Sequence, residues 1–199
     1  MIKIKENLLK TSLCLSLLVS IFLSNFSAFA SSCKEIREST LRLHILAASD
    51  SEEDQRLKLL VRDEILKTTG ELFLSSKDKN ESIKKAKENM DSVLDVARSV
   101  LRENGCNYTV SGEIVEMFFE NRGYGDITLP AGRYNALRII IGEGKGKNWW
   151  CVLFPPLCIP SATKTDSAIL DPVRGESRDI KVRLWIVEFI EEIKEKVFC

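Results

Sequence analysis

From Thr11 to Ala30 the chain holds no charged residue. No other feature limits the fold so sharply, because a stretch this apolar must enter a membrane or be buried by the rest of the chain. Lys3, Lys5 and Lys10 precede it, and Ala28-Phe29-Ala30 closes it before Ser31. That order matches the basic, apolar and small-residue parts of a secretory signal. Two other readings stay open. Leu13 to Ala30 is just long enough to span a bilayer uncleaved, and Ser12, Ser16, Ser20 and Ser24 would lay a small-residue stripe along one face of such a helix. A lipid-attached form would use Cys33, but Ala30-Ser31-Ser32-Cys33 lacks the usual leucine. The chain thus divides into residues 1–30, a signal peptide or uncleaved membrane anchor, and residues 31–199, a single folded domain outside the cytoplasm.

Lysine plus arginine equals aspartate plus glutamate at 29 each, so no basic excess is available to neutralise a nucleic-acid backbone. Beyond Cys14 the cysteines are Cys33, Cys106, Cys151, Cys158 and Cys199. An odd number outside the cytoplasm leaves at least one free, intermolecular or buried as a small hydrophobe. With no C-x-x-C pair and one histidine, the spacing suits no Cys/His zinc site. Neither a metal nor a cofactor is expected.

The periodicity then predicts the elements. Leu41 to Ala48 alternates as a strand, and Ser49-Asp50-Ser51-Glu52-Glu53 supplies overlapping N-caps for a helix that begins near Glu52 and runs to Leu66 or beyond. A second helix is predicted over Asn80 to Glu103, with Ile83, Ala86, Met90, Val93, Ala97 and Val100 on its buried face. Strand patterning returns from Tyr108 to Phe119, with Gly112 a candidate bulge, and again from Tyr134 to Ile141 and from Trp149 to Phe154, where Pro155-Pro156 ends it. The turn-rich passage from Glu120 to Gly132 separates the first two. Residues 159–178 read as a long loop, and Ser177 to Val197 as a helix with a wide apolar face of Val182, Trp185, Ile186, Phe189, Ile190, Ile193 and Val197. The expected class is α+β: a small mixed or antiparallel sheet with two long helices packed on it and a C-terminal amphipathic helix, preceded by the N-terminal signal segment.

Three stretches invite a chemical reading. Gly142 to Lys147 resembles a phosphate loop in composition, but a strand follows where a dinucleotide fingerprint needs a helix, so a glycine-rich hairpin is expected. Arg42, His44, Ser49, Asp50, Asp54 and Gln55 gather polar groups at a strand end and its helix cap. A histidine–carboxylate pair there can serve as base and orienter, yet no nucleophile lies nearby in sequence, and a rigidly held polar loop also suits partner recognition. Third, Asn148 to Cys158 joins Trp149 and Trp150, on opposite strand faces, to Cys151 and Cys158, which a chain reversal at the prolines can bring to disulfide distance. Exposed tryptophan beside a rigid turn suits a binding anchor.

The segments "RLHILAASDSEEDQRLKLLVRD" and "LPAGRYNALRIIIGEGKGKNWWCVLFPPLC", with the signal-like N-terminus, resemble the stage II sporulation protein R family over about Leu41 to Cys158. The resemblance implies a signalling protein of endospore-forming bacteria, made in the forespore and exported into the space between the two membranes. There it would activate a membrane-embedded protease of the mother cell that cleaves the pro-form of sigma-E. It implies no enzyme activity for this chain. It marks the Arg42 to Gln55 block and the Trp149 to Cys158 block as signature segments without saying which touches the protease. The rival readings are a secreted hydrolase using His44 with Asp50 or Asp54, and a structural protein of the cell envelope.

Overall fold

Alternation along β1 (Leu41–Leu46) sends Leu41, Leu43 and Ile45 to one face and Arg42, His44 and Leu46 to the other, and this division organises the whole domain. The computed structural model describes residues 2–158, 168–175 and 178–198. Before β1 comes α1 (Ile2–Ser39), a continuous helix. After it come α2 (Glu52–Leu74), α3 (Lys79–Glu88), α4 (Met90–Glu103), β2 (Val110–Phe119), β3 (Arg122–Tyr124), β4 (Ile127–Leu129), β5 (Gly132–Ile141), β6 (Asn148–Phe154), a 3₁₀ turn at Ala168–Val173 and α5 (Arg178–Phe198).

The main sheet has the order β2-β5-β1-β6. β1 runs parallel to β5 and antiparallel to β6, while β2 is antiparallel to β5. The sheet is therefore mixed, and the fold is α+β as expected. Its inner face packs under α2, α3 and α4 through Leu43, Ile45, Leu57, Val61, Val93, Ala97, Leu137 and Ile139. Ser51 caps α2, its hydroxyl accepting from the Asp54 amide at 3.1 Å. On the outer face a second core joins Val152 of β6 to Ile127 and Leu129 of β4, Leu170 and Val173 of the 3₁₀ turn, Leu184 and Val187 of α5, and Phe29, Cys33 and Ile36 of α1.

Several expectations are corrected. The helix expected over Asn80 to Glu103 breaks at Asn89, whose side-chain amide and backbone N–H both donate to the Lys85 carbonyl. Gly112 is no bulge, since β2 and β5 keep unbroken register. A Cβ there would lie 2.8 Å from Met90 Sδ, so the glycine admits α4. The irregularity lies instead opposite Leu41 and Arg42, which pair with Phe154 and Val152. The turn-rich passage holds the β3–β4 hairpin, closed at Gly125 with φ +63°.

The glycine-rich loop is likewise no hairpin. β5 and β6 flank β1 on either side, so residues 142–147 cross over its end. Part of the expected 159–178 loop is the 3₁₀ turn; residues 159–167 lie outside the described residues. On α5 the apolar stripe is not buried: Trp185 is 63% exposed and Val182, Phe189, Ile193 and Val197 are also exposed, while Leu184 and Val187 face the body. The buried contacts come from Leu184 and Val187, which lie outside the predicted face, so the helix carries a second apolar face that the pattern did not single out.

Candidate functional site: the outer face of the sheet

Arg42 and His44 come from alternate positions of β1, so the same pleat that buries Leu43 turns both toward the outer face. The antiparallel register sets Trp150 beside His44 and Val152 beside Arg42. The His44 and Trp150 rings stack with centroids 3.9 Å apart, and Phe119 meets the Trp150 indole edge-on at 4.8 Å. His44 Nε2 lies 2.9 Å from Asn148 Oδ1. Burial draws the His44 pKa below its ordinary value; the Asn148 contact opposes this, and Arg138 and Arg42 reinforce it.

Arg42 has no exposed surface. Its guanidinium lies 4.0 Å from the Phe119 ring centroid, 5.0 Å from that of Tyr134 and 5.7 Å from that of Tyr124. Nη2 donates to the Tyr124 hydroxyl at 2.6 Å, while Nε and Nη1 have no acceptor among the described residues. Burial lowers its pKa, with Tyr124 and Tyr134 acting the other way. Tyr134, whose hydroxyl donates to the Pro130 carbonyl at 2.5 Å, is pushed up by burial. Arg42 also lines a recess of about 270 Å³, flanked by Trp150, Phe118 and Phe119, with Arg122, Glu120 and Asn148 at its exposed rim.

The remaining residues of the strand-end block do not join this cluster. Ser49 donates to Asp54 Oδ2 at 2.5 Å, the Gln55 amide donates to the Ser49 carbonyl at 2.9 Å, and Asp50 Oδ1 accepts from the Lys147 backbone at 2.6 Å. Lys58, buried against this turn, donates to Gln55 Oε1 and to the Lys147 carbonyl. Together they bracket the glycine loop to the start of α2. The pairing a hydrolase would need is not assembled, because His44 faces an amide while Asp50 and Asp54 have other partners.

Trp149, on the opposite face, lies under the Arg62 guanidinium at 4.2 Å and packs against the inner core. The Cys151 and Cys158 sulfurs are bonded, with Cα atoms 6.1 Å apart. This returns the chain after Pro155-Pro156 to β6, where Cys158 Sγ also accepts from the Val152 amide. Cys14, Cys33 and Cys106 are free, and Cys199 lies outside the described residues. Phe119, Tyr124, Arg122 and Asn148 belong to the site and were missed in the sequence. Phe119 ends a predicted strand on the face shared with Met117, a signal that was present; Tyr124 sits in a passage read only as turns.

A family model described as Stage II sporulation protein R matches residues 37–164, which take in every strand and all the residues of this face. The chain is 38% identical over 125 residues to the Stage II sporulation protein R of Bacillus subtilis (strain 168). That match covers 62% of this chain and 55% of the relative, so the chain spans little more than half of that protein. No solved structure matches.

Proposed function

We propose, on the premise that the chain belongs to the stage II sporulation protein R family, that it is an exported sporulation signal acting by contact rather than by catalysis. It reaches a membrane-embedded protease in the opposing membrane and activates it, which triggers processing of pro-sigma-E. The observation that carries this reading is the outer sheet face. It offers an aromatic and cationic recess bordered by Trp150, Arg42 and Phe119, and the lone histidine, stacked on Trp150, is paired with an amide. Such a surface suits an anchor for a partner side chain.

Residues 1–30 fit an anchor that is kept. α1 is long and apolar enough to cross a membrane, and Leu8 to Leu23 expose their apolar side chains. Phe26 and Phe29, however, lie before the Ala30–Ser31 junction and pack in the outer core with Leu184 and Val187. Release after Ala30 would remove both from that core and cut the helix through its docked portion. The domain of residues 31–199 is then displayed at the forespore membrane, facing the intermembrane space, and its core includes the last turns of the anchor.

Proteoliposomes carrying the protease and its pro-sigma substrate, mixed with vesicles carrying the full chain, test the reading. Processing should depend on the chain and should fall at least about tenfold with Trp150→Ala. Equal processing without the chain rejects the activator role.

A further inference from the structure

We propose that the recess beside Arg42 is a carboxylate-binding site, occupied by a carboxylate of the partner protein when the two meet. The inference rests on the contact reading above and names the chemistry of the group received. A guanidinium withdrawn from water ordinarily has a carboxylate to offset its desolvation. Arg42 has none: among the described residues no ion pair reaches it, and its single hydrogen bond goes to the neutral Tyr124 hydroxyl. Three ring faces hold the cation in place. They leave Nε and Nη1 without an acceptor, and each forms a two-pronged edge only together with Nη2, the nitrogen that Tyr124 partly occupies.

The recess adjoining this side chain has the dimensions and lining for such a guest. Its volume of about 270 Å³ exceeds the ~30 Å³ of a water molecule several-fold. Trp150 and Phe118 give it apolar sides for the methylenes of an acidic side chain, and Arg122 adds a second cation at the mouth. The fork accepts carboxylate and phosphate alike, but a singly charged carboxylate costs less to desolvate against apolar flanks than a phosphate does. Glu120 stands at the rim, exposed, and makes no ion pair with Arg42 or Arg122. Among the described residues no carboxylate of the chain fills the site. Tyr124 sits on the short β3–β4 hairpin, and its hydroxyl occupies the position on Nη2 that an entering oxygen would take.

The test uses the full chain in non-ionic detergent with ¹⁵N-labelled arginine, following the Arg42 Nε–H resonance. The probes are N-acetylaspartate amide for a side-chain carboxylate, N-acetylleucine for a chain terminus, N-acetylasparagine amide and N-acetylleucinamide as neutral partners, and inorganic phosphate. A saturable shift with one or both carboxylates, and none with the neutral amides, is expected, and the tighter of the two identifies the source. Arg42→Lys keeps the charge but loses the fork, and should weaken binding at least about tenfold.

Should that variant fail to fold, Tyr124→Phe decides. Removing the competing hydroxyl should tighten carboxylate binding by about threefold or more, whereas a purely structural arginine would leave it unchanged. Equal response to the neutral probes, phosphate binding as tight as carboxylate, or no gain in Tyr124→Phe overturns the proposal. Activation that survives with no carboxylate binding sinks this inference alone; carboxylate binding by a chain that never activates the protease sinks the activator reading alone.

Discussion

The imidazole of His44 lies nearly parallel to the indole of Trp150, with planes 16° apart and centroids 3.9 Å apart, and the two residues are register partners on β1 and β6. Buried beneath this stack, the imidazole has a pKa below its ordinary 6.5, chiefly through desolvation. In the unfolded chain it takes up a proton near 6.5; in the folded chain it does so only at lower pH. As pH falls below about 6.5 the unfolded state binds more protons, and stability drops until the folded pKa is reached. Urea midpoints should be level from pH 8 to 7 and fall from 6.5 towards 5.5. His44→Gln should lose that slope; an equal slope in the variant would assign it to other groups.

The Cys151–Cys158 bond closes a loop of sequence separation 7. Constraint of the unfolded chain by so short a loop contributes about 2–3 kcal/mol. Under denaturing, non-reducing conditions the full chain, with its six cysteines, should show four reactive thiols. Six would show that the bond is absent from the isolated protein, and three would show that Cys14 has left with a cleaved segment.

Phe29 is buried in the outer core, and Leu18, about three turns earlier on the same helix, is 65% exposed. Phe29→Ala should therefore destabilise the domain by about 3 kcal/mol, while Leu18→Ala should leave it unchanged. Denaturation in detergent, followed by Trp185 fluorescence in a chain lacking the other two tryptophans, measures both. Equal, small effects would mean that α1 does not brace α5. The ion pair between Arg37 and Glu191 at 3.5 Å lies on the same docking line and should loosen with it.

How far the sequence revealed this arrangement follows from the range of each interaction. The strand–cap–helix unit from Leu41 to Leu74 was legible because its signals are local: alternation, Ser51 as cap, then acidic residues in the first turn. Arg42 and His44 were legible as a pair sharing a face for the same reason. That Trp150 lies on that face and Trp149 on the other depends on which strand neighbours β1, and sheet order is not written in any local period. The crossing of residues 142–147 was misread as a hairpin on those grounds: glycine content is a local signal, whereas the strand between β5 and β6 is β1, from far earlier in the chain. The role of Ser49, Asp50, Asp54 and Gln55 as a bracket rather than as part of the recess followed from that crossing. The apolar stripe of α5 was legible but its outward orientation was not, because amphipathicity counts apolar residues without saying which face finds a partner.

Gly146 ties the bracket to the site, and its substitution tests whether the two act together. A Cβ there would fall 2.1 Å from the Ser49 carbonyl oxygen and 2.5 Å from its carbon, both backbone atoms that cannot rotate away. The loop would have to lift, which strains the Gly146 amide bond to the Ala47 carbonyl and the Lys147 amide bond to Asp50. Overpacking of this kind costs about 1–3 kcal/mol. At Gly112 the nearest atom is Met90 Sδ, the movable end of a flexible side chain, so Gly112→Ala should cost less, below about 1 kcal/mol. The difference should also appear in function. Asn148 follows directly on Lys147 and holds His44 Nε2, so a lifted loop draws Asn148 from the imidazole and disturbs the Trp150 stack. Gly146→Ala that still folds should activate the protease poorly, while Gly112→Ala should activate it normally. Full activity in both would show that the bracket serves the fold alone and that the recess is set by β1 and β6 without it.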